Sequence, residues 1–311
     1  MSTLLPEQEV EQHFDQLAQS GAYAEALELV TREQHIFPEP AQKVVYYWRV
    51  WMACCLKEKG LALQLLQDAV NAGYWYGGLK NDPDIELLYG DAEFERLANI
   101  CDDRRAEAMA NTTPVIKVTQ PEARYSPYPL LLALHGGNAN IAADHWSSAV
   151  EHGWLVALPQ SSQVYAPNNY TWNDWEWAQN EVVKHYLKLL EQYPIDSQRV
   201  VLAGFSQGGG LALWLALTGV IQARGLVLVG PFLPNVNVII PLMEKHDPRG
   251  LRVYLVAGQR DRYCFGVAKQ LAALLPHYGV ICHLGEYSDL EHSFPKDFGK
   301  KLPDALDFVT M

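Results

Sequence analysis

The stretch Arg199-Val-Val-Leu-Ala-Gly-Phe-Ser-Gln-Gly-Gly-Gly-Leu-Ala-Leu-Trp214 decides how the rest of the chain is read. A continuous apolar run, Val200–Ala203, leads into Gly204-Phe205-Ser206-Gln207-Gly208, and a second apolar run follows at helical length. An apolar run without polar alternation indicates a strand buried on both faces. Gly-x-Ser-x-Gly between such a strand and a helix is the pattern of a strained turn that lifts a serine above the carboxyl edge of a sheet. Glycine suits both ends, because the sharp turn brings backbone against backbone and a Cβ would clash. Ser206 is therefore the expected nucleophile.

Outward from this turn the same grammar repeats. Val115–Thr119, Leu130–Leu134, Leu155–Leu158, Leu226–Val229, Val253–Ala257 and Val280–Leu284 read as further strands. Helices fit between them near 141–151, 176–192, 208–218 and 266–277, and Pro121 to Pro129 reads as a connection. Alternation of this kind predicts a mostly parallel sheet with helices on both faces, an α/β fold.

Before Thr113 the pattern is helical, with helices expected near 7–19, 22–36, 41–58, 61–72 and 91–109. Gly21-Ala-Tyr-Ala-Glu-Ala-Leu and Gly60-Leu-Ala-Leu-Gln-Leu-Leu repeat with Ala26-Leu27 and Ala62-Leu63 36 residues apart, close to the tetratricopeptide period of about 34. The expected division is a tetratricopeptide-like helical domain over 1–112 and a catalytic domain over 113–311. Two repeats fall short of a free-standing array, so these helices are expected to dock on the second domain or on a sister subunit. Trp48 and Trp51 fit core positions better than a partner groove.

A serine hydroxyl needs a base, and the base needs a carboxylate to fix its tautomer. In the strand-to-helix serine arrangement the chain order is Ser, acid, His. His292, in the loop Ser288–Pro295 after the last strand, suits the base better than His277 in a helix or His283 in a strand. Asp261 follows strand 253–257 through Gly258-Gln-Arg and is the expected acid. Asp289 and Glu291 sit too near His292, and Asp247 precedes its strand instead of following it. Oxyanion donors are expected from the backbone N–H of Gln207, just after the nucleophile, and from Gly137 in Leu134-His-Gly-Gly-Asn138. His135 reads as a loop anchor.

With Leu134-His135-Gly136-Gly137, Tyr193-Pro-Ile-Asp-Ser-Gln-Arg leading into the elbow, Gly258-Gln-Arg-Asp261 and Glu291-His292 in place, the second half resembles the phospholipase/carboxylesterase branch of the α/β-hydrolases, which includes acyl-protein thioesterase-like enzymes. The resemblance implies serine-dependent hydrolysis of carboxylic esters or thioesters, with no metal or organic cofactor. The helical N-terminal third and Asn138-Ala-Asn140 depart from that family's compact form. Specificity is expected from Phe232 and Leu233, in the loop after strand 226–229, and from Trp172 in the aromatic-rich Tyr170–Trp177, whose rings equally fit packing against the base of helix 176–192. A prolyl-oligopeptidase-type peptidase uses the same triad, but the N-terminal region lacks a propeller. A spent, non-catalytic scaffold conflicts with the intact Ser, Asp and His set.

Composition bounds the partners. With 24 basic against 36 acidic residues the net charge is −12, which gives no footprint for nucleic acid or anionic lipid. Five cysteines without a C-x-x-C pair read as buried thiols. Met1–Glu9 lacks a basic and apolar leader and no long apolar span appears, so a cytoplasmic protein acting on a small-molecule ester is expected, with the N-terminal helices available for a homodimer or protein contact.

Overall fold

A computed structural model describes residues 6–311. Met1–Leu5, on which the leader reading partly rests, lie outside the described residues. The chain forms two compact units, one running to Asn111 and including Tyr165–Pro167, the other made of Thr112–Val164 and Asn168–Met311.

The first unit holds helices α1 (Pro6–Ser20), α2 (Tyr23–Arg32), α3 (Glu39–Cys55), α4 (Lys59–Asn71) and α5 (Ala92–Asn111). Each packs on the next. Ala26 and Ala62, the repeated alanines, are both fully buried, one on α2 and one on α4, where a small side chain lets helices approach. Trp48 stacks on the buried Phe14 with ring centroids 4.5 Å apart, so it belongs to the core of this unit. Lys43 is buried, with its Nζ donating to the Pro167 carbonyl at 2.7 Å. The inclusion of Tyr165–Pro167 in this unit is a contact between distant parts of the chain, to which a division read along the sequence is blind.

In the second unit seven strands are ordered β1-β3-β2-β6-β7-β8-β9. They are β1 (Val115–Thr119), β2 (Tyr128–Leu134), β3 (Leu155–Gln160), β6 (Ile195–Phe205), β7 (Gly225–Val229), β8 (Arg252–Gly258) and β9 (Ile281–Tyr287); β4 (Val164–Ala166) and β5 (Asn169–Tyr170) are short and lie outside this sheet. The β1 strand pairs antiparallel with β3, and every other pair in this seven-stranded sheet is parallel. Every residue of β2 and β7 is buried, as continuous apolar runs require, while β1 and β9 at the edges are partly exposed.

The pleat sorts the core into two layers. Leu130, Leu132, Leu134, Val200 and Leu202 join one cluster, with residues of α7 (Trp175–Gln192), α8 (Gln207–Leu217) and α10 (Cys264–Leu274). Leu131, Ala133, Val201 and Ala203 face the other cluster, with α6 (Ser148–Glu151) and α11 (Phe298–Thr310). A further short helix, α9 (Ile240–His246), precedes β8. This is the α/β-hydrolase type of sheet, mostly parallel and flanked by helices.

Three helical expectations change, the short α9 being outside the expected set. The helix expected over 141–151 shrinks to α6, because Asn140 Oδ1 accepts from Ala142 N at 2.8 Å and Asp144 Oδ1 from Trp146 N at 3.2 Å. Such side-chain turns compete with helical backbone bonding. Conversely α11 was not expected. Pro303 interrupts its sequence pattern, and a proline inside a helix normally counts against one, yet Leu302, Ala305, Leu306 and Val309 bury a full face. Among the described residues no helix is long and apolar enough to cross a membrane. The five cysteines are free thiols, with Cys54, Cys101 and Cys264 buried.

Candidate active site

The carboxyl ends of β2, β6, β8 and β9 carry the loops that converge on Ser206. The serine lies between β6 and α8 with φ 52° and ψ −120°, a conformation that a side chain other than glycine rarely adopts. Neighbouring backbone enforces it: Ser206 N donates to Val229 O at 2.9 Å, and Phe232 N donates to Ser206 O at 2.9 Å. A Cβ on Gly204 would sit 2.4 Å from the Gly208 carbonyl carbon, and one on Gly208 2.3 Å from the His135 oxygen. Both elbow glycines are required by contact, as their positions in the motif suggest.

The Ser206 hydroxyl donates to His292 Nε2 at 2.8 Å, and His292 Nδ1–H donates to Asp261 Oδ2 at 2.6 Å. The tautomer follows from the pair of bonds, since a carboxylate only accepts. Asp261 is buried, and its other oxygen accepts from Tyr263 N at 3.1 Å and Cys264 N at 2.9 Å. The carboxylate is thus fixed by the amides that open α10. The expected Ser206, Asp261 and His292 come together as one hydrogen-bonded chain, while His277 and His283 lie elsewhere, in the turn after α10 and on β9.

Beside the serine, Gln207 is the first residue of α8, so its amide is among those that a helix leaves without an internal partner. A Cβ on Gly136 would lie 3.6 Å from Ser206 Cβ, and one on Gly137 3.0 Å from Gln207 Oε1. The glycine loop therefore packs directly on the elbow. His135 anchors it. Ser161 N donates to His135 Nε2 at 3.2 Å, which leaves Nδ1 protonated to donate to Gly136 O at 2.7 Å. Burial pulls the imidazole down to about 4, against a smaller opposing effect of the Gly136 bond.

Trp172 differs from its expected place at the mouth. It is fully buried, stacks on His135 with centroids 4.6 Å apart and donates from Nε1 to His135 O at 2.9 Å. It supports the glycine loop from behind. Residues not singled out from the sequence complete this support. Gln207 Oε1 accepts from Thr171 Oγ1 at 2.9 Å and Trp172 N at 2.8 Å, and its Nε2 donates to Asn173 Oδ1 at 2.8 Å. Their only signal was the polar Thr171 and Asn173 interleaved among the aromatics of Tyr170–Trp177.

Two cavities border the neighbours of Ser206. One, of about 370 Å³, touches His292, Phe205, Phe294, His145 and Trp146. The other, of about 420 Å³, touches Gln207, Trp175, Trp214, Phe232 and Val238. Phe232 is exposed on the second cavity, whereas Leu233 is buried in the core behind it. For a metal, Asp261, Cys264 and His292 form a group of possible ligands within 4.8 Å of one another. Two of them already bond each other, and burial pushes the Cys264 thiol up to about 12, so the thiolate that a metal would need is disfavoured.

Residues 176–310 match the family described as Phospholipase/Carboxylesterase, and residues 10–109 match the A/B hydrolase-like, N-terminal domain. An uncharacterized protein from Bacillus cereus ATCC 10987 is similar over 98% of this chain and 99% of its own, with 24% identity and a TM-score of 0.54. The Bacillus cereus carboxylesterase aligns with 66% of this chain and 99% of its own, at 17% identity and a TM-score of 0.51. A ferulic acid esterase aligns with 64% of this chain and 92% of its own, at 16% identity and a TM-score of 0.50. These structures share the fold. No curated protein matches the chain in sequence.

Proposed function

We propose that this α/β-hydrolase of the phospholipase/carboxylesterase family cleaves carboxylic esters of short or medium acyl groups through an acyl-enzyme on Ser206. The observation that carries the reading is the chain of bonds from Ser206 through His292 to Asp261 at 2.8 and 2.6 Å. In this mechanism His292 Nε2 takes the Ser206 proton as Oγ attacks the carbonyl carbon, and Asp261 holds the imidazole and its positive charge. The backbone N–H groups of Gln207 and Gly137 are the oxyanion donors, held by the Gln207 and Trp172 contacts. Collapse of the tetrahedral intermediate expels the alcohol, which takes the proton from His292. Water then repeats the sequence on the acyl-enzyme. The cavity at Phe232 holds the acyl group, and its modest volume favours short and medium chains. Cytoplasmic residence is part of the reading, supported by five free thiols.

The test is a p-nitrophenyl ester series from acetate to palmitate, with the native chain and Ser206→Ala side by side. A maximum at short or medium chains that vanishes in the variant is expected. Turnover on no member of the series that depends on Ser206 would overturn the proposal.

A further inference from the structure

The two cavities differ in what they touch. In acylation, the bond from Ser206 Oγ to the acyl carbon forms and the bond from that carbon to the alcohol oxygen breaks; the proton leaves Oγ, rests on His292 Nε2 and ends on the departing oxygen. That oxygen must lie within hydrogen-bonding reach of Nε2, so its substituent extends on the imidazole side. The cavity there is walled by rings in series. His292 lies 4.8 Å from Phe205, Phe205 lies 4.9 Å from Phe294, and Phe294 lies 4.0 Å from His145 at an interplanar angle of 17°. Trp146 closes the end, edge-on to Phe294 at 5.7 Å. His145 is exposed on this wall. Desolvation keeps its imidazole below the usual histidine value, against the opposing pull of Asp144.

Resting on the assignment of Ser206 as nucleophile, we infer that this cavity is the alcohol subsite and that it selects planar, benzyl-type alcohols, with Phe294 and His145 as its specificity-determining wall. A planar ring can add to the nearly parallel pair of Phe294 and His145, while the His292–Phe205 and Phe205–Phe294 pairs beside it are tilted by 33° and 31°. A saturated ring of the same size fills the space without the aromatic pairing, which is worth roughly a 3- to 10-fold preference in binding. At about 370 Å³ the cavity stands near the small end of ligand sites, about 300–1,000 Å³, which suits one ring and excludes long chains.

The experiment compares kcat/KM for benzyl, cyclohexylmethyl and n-heptyl acetate, whose alcohols are of similar basicity, so that leaving-group strength does not set the order. The native chain should favour benzyl over cyclohexylmethyl acetate by roughly 3- to 10-fold. Phe294→Leu and His145→Ala should each pull that ratio toward one, and Phe232→Ala should change the preference for acyl length while keeping the ratio. Because Phe294 also packs on Phe298, the exposed His145 provides the variant that leaves the core alone. A ratio near one in the native chain, a ratio untouched by His145→Ala, or a ratio that falls with Phe232→Ala overturns the inference. Failure of the underlying reading shows differently, as absence of Ser206-dependent cleavage of all three esters.

Discussion

The two sides of Ser206 are held by different physics. On the Gln207 side, position is fixed by directional bonds: Thr171, Trp172 and Asn173 grip one amide side chain, and the buried Trp172 and His135 brace the glycine loop. On the His292 side, beyond the carboxylate, position is fixed by ring contacts among Phe205, Phe294 and His145. Directional bonds hold donors to within a few tenths of an ångström, which transition-state stabilisation requires. Ring packing tolerates substitution and adapts to what is bound. Damage on the first side should therefore appear in kcat, and damage on the second in selectivity among substrates.

The largest effect tests what the two sides share. Ser206→Ala should lower kcat/KM for p-nitrophenyl acetate by at least ~10⁴-fold, and Asp261→Asn, which leaves the imidazole in the wrong tautomer, by about 10⁴-fold. An Asp261→Asn enzyme within tenfold of native would remove the carboxylate from the account.

Next comes the directional side. Gln207→Ala keeps the backbone N–H but frees the segment 171–173, and kcat should fall by about 10²-fold with KM changed by less than about threefold. A rise in KM alone, measured in steady state, would place Gln207 in substrate binding instead. Trp172→Phe retains the stack on His135 but leaves its carbonyl without the indole donor. A loss of about 1 kcal/mol in urea unfolding is expected, together with a fall in kcat smaller than that of Gln207→Ala.

The smallest effect concerns pH. His135 titrates near 4 in the folded protein and near 6.5 when unfolded. Between these values the unfolded chain binds more protons, so the contribution is complete above about 6.5 and is lost as pH falls toward 4, with a slope of up to ~1.4 kcal/mol per pH unit. Carboxylates elsewhere act in the same direction, so the informative quantity is the difference between the native chain and His135→Gln at pH 7.0 and 5.0. The variant should be less stable at pH 7.0 and its stability should depend less on pH. Equal pH dependence in both proteins would show that His135 is not held neutral.

What could be read from the sequence follows the same division between local and distant causes. The strands of the sheet were legible because burial on both faces writes itself as apolar runs, as in Leu130–Leu134 and Leu226–Val229. The meeting of Ser206, His292 and Asp261 was legible because each follows a strand, and strand ends point to one edge. The support behind the site was not. Trp172 and Asn173 act through contacts with His135 and Gln207, some 35 residues away, and neither composition nor periodicity records such pairs. Helix α11 was hidden by Pro303, where burial of Leu302, Ala305 and Leu306 overrides a poor local sequence. Segment 141–147 failed the other way, its helical spacing overridden by the side-chain bonds of Asn140 and Asp144.

A nucleophilic Ser206 is tested by peptide mass spectrometry of the full chain after reaction with a fluorophosphonate. A single adduct on the peptide containing Ser206, absent after Asp261→Asn or His292→Ala treatment for the same short time, is the predicted result. An unlabelled Ser206 in the folded native chain, or labelling that persists undiminished in both variants, would contradict it.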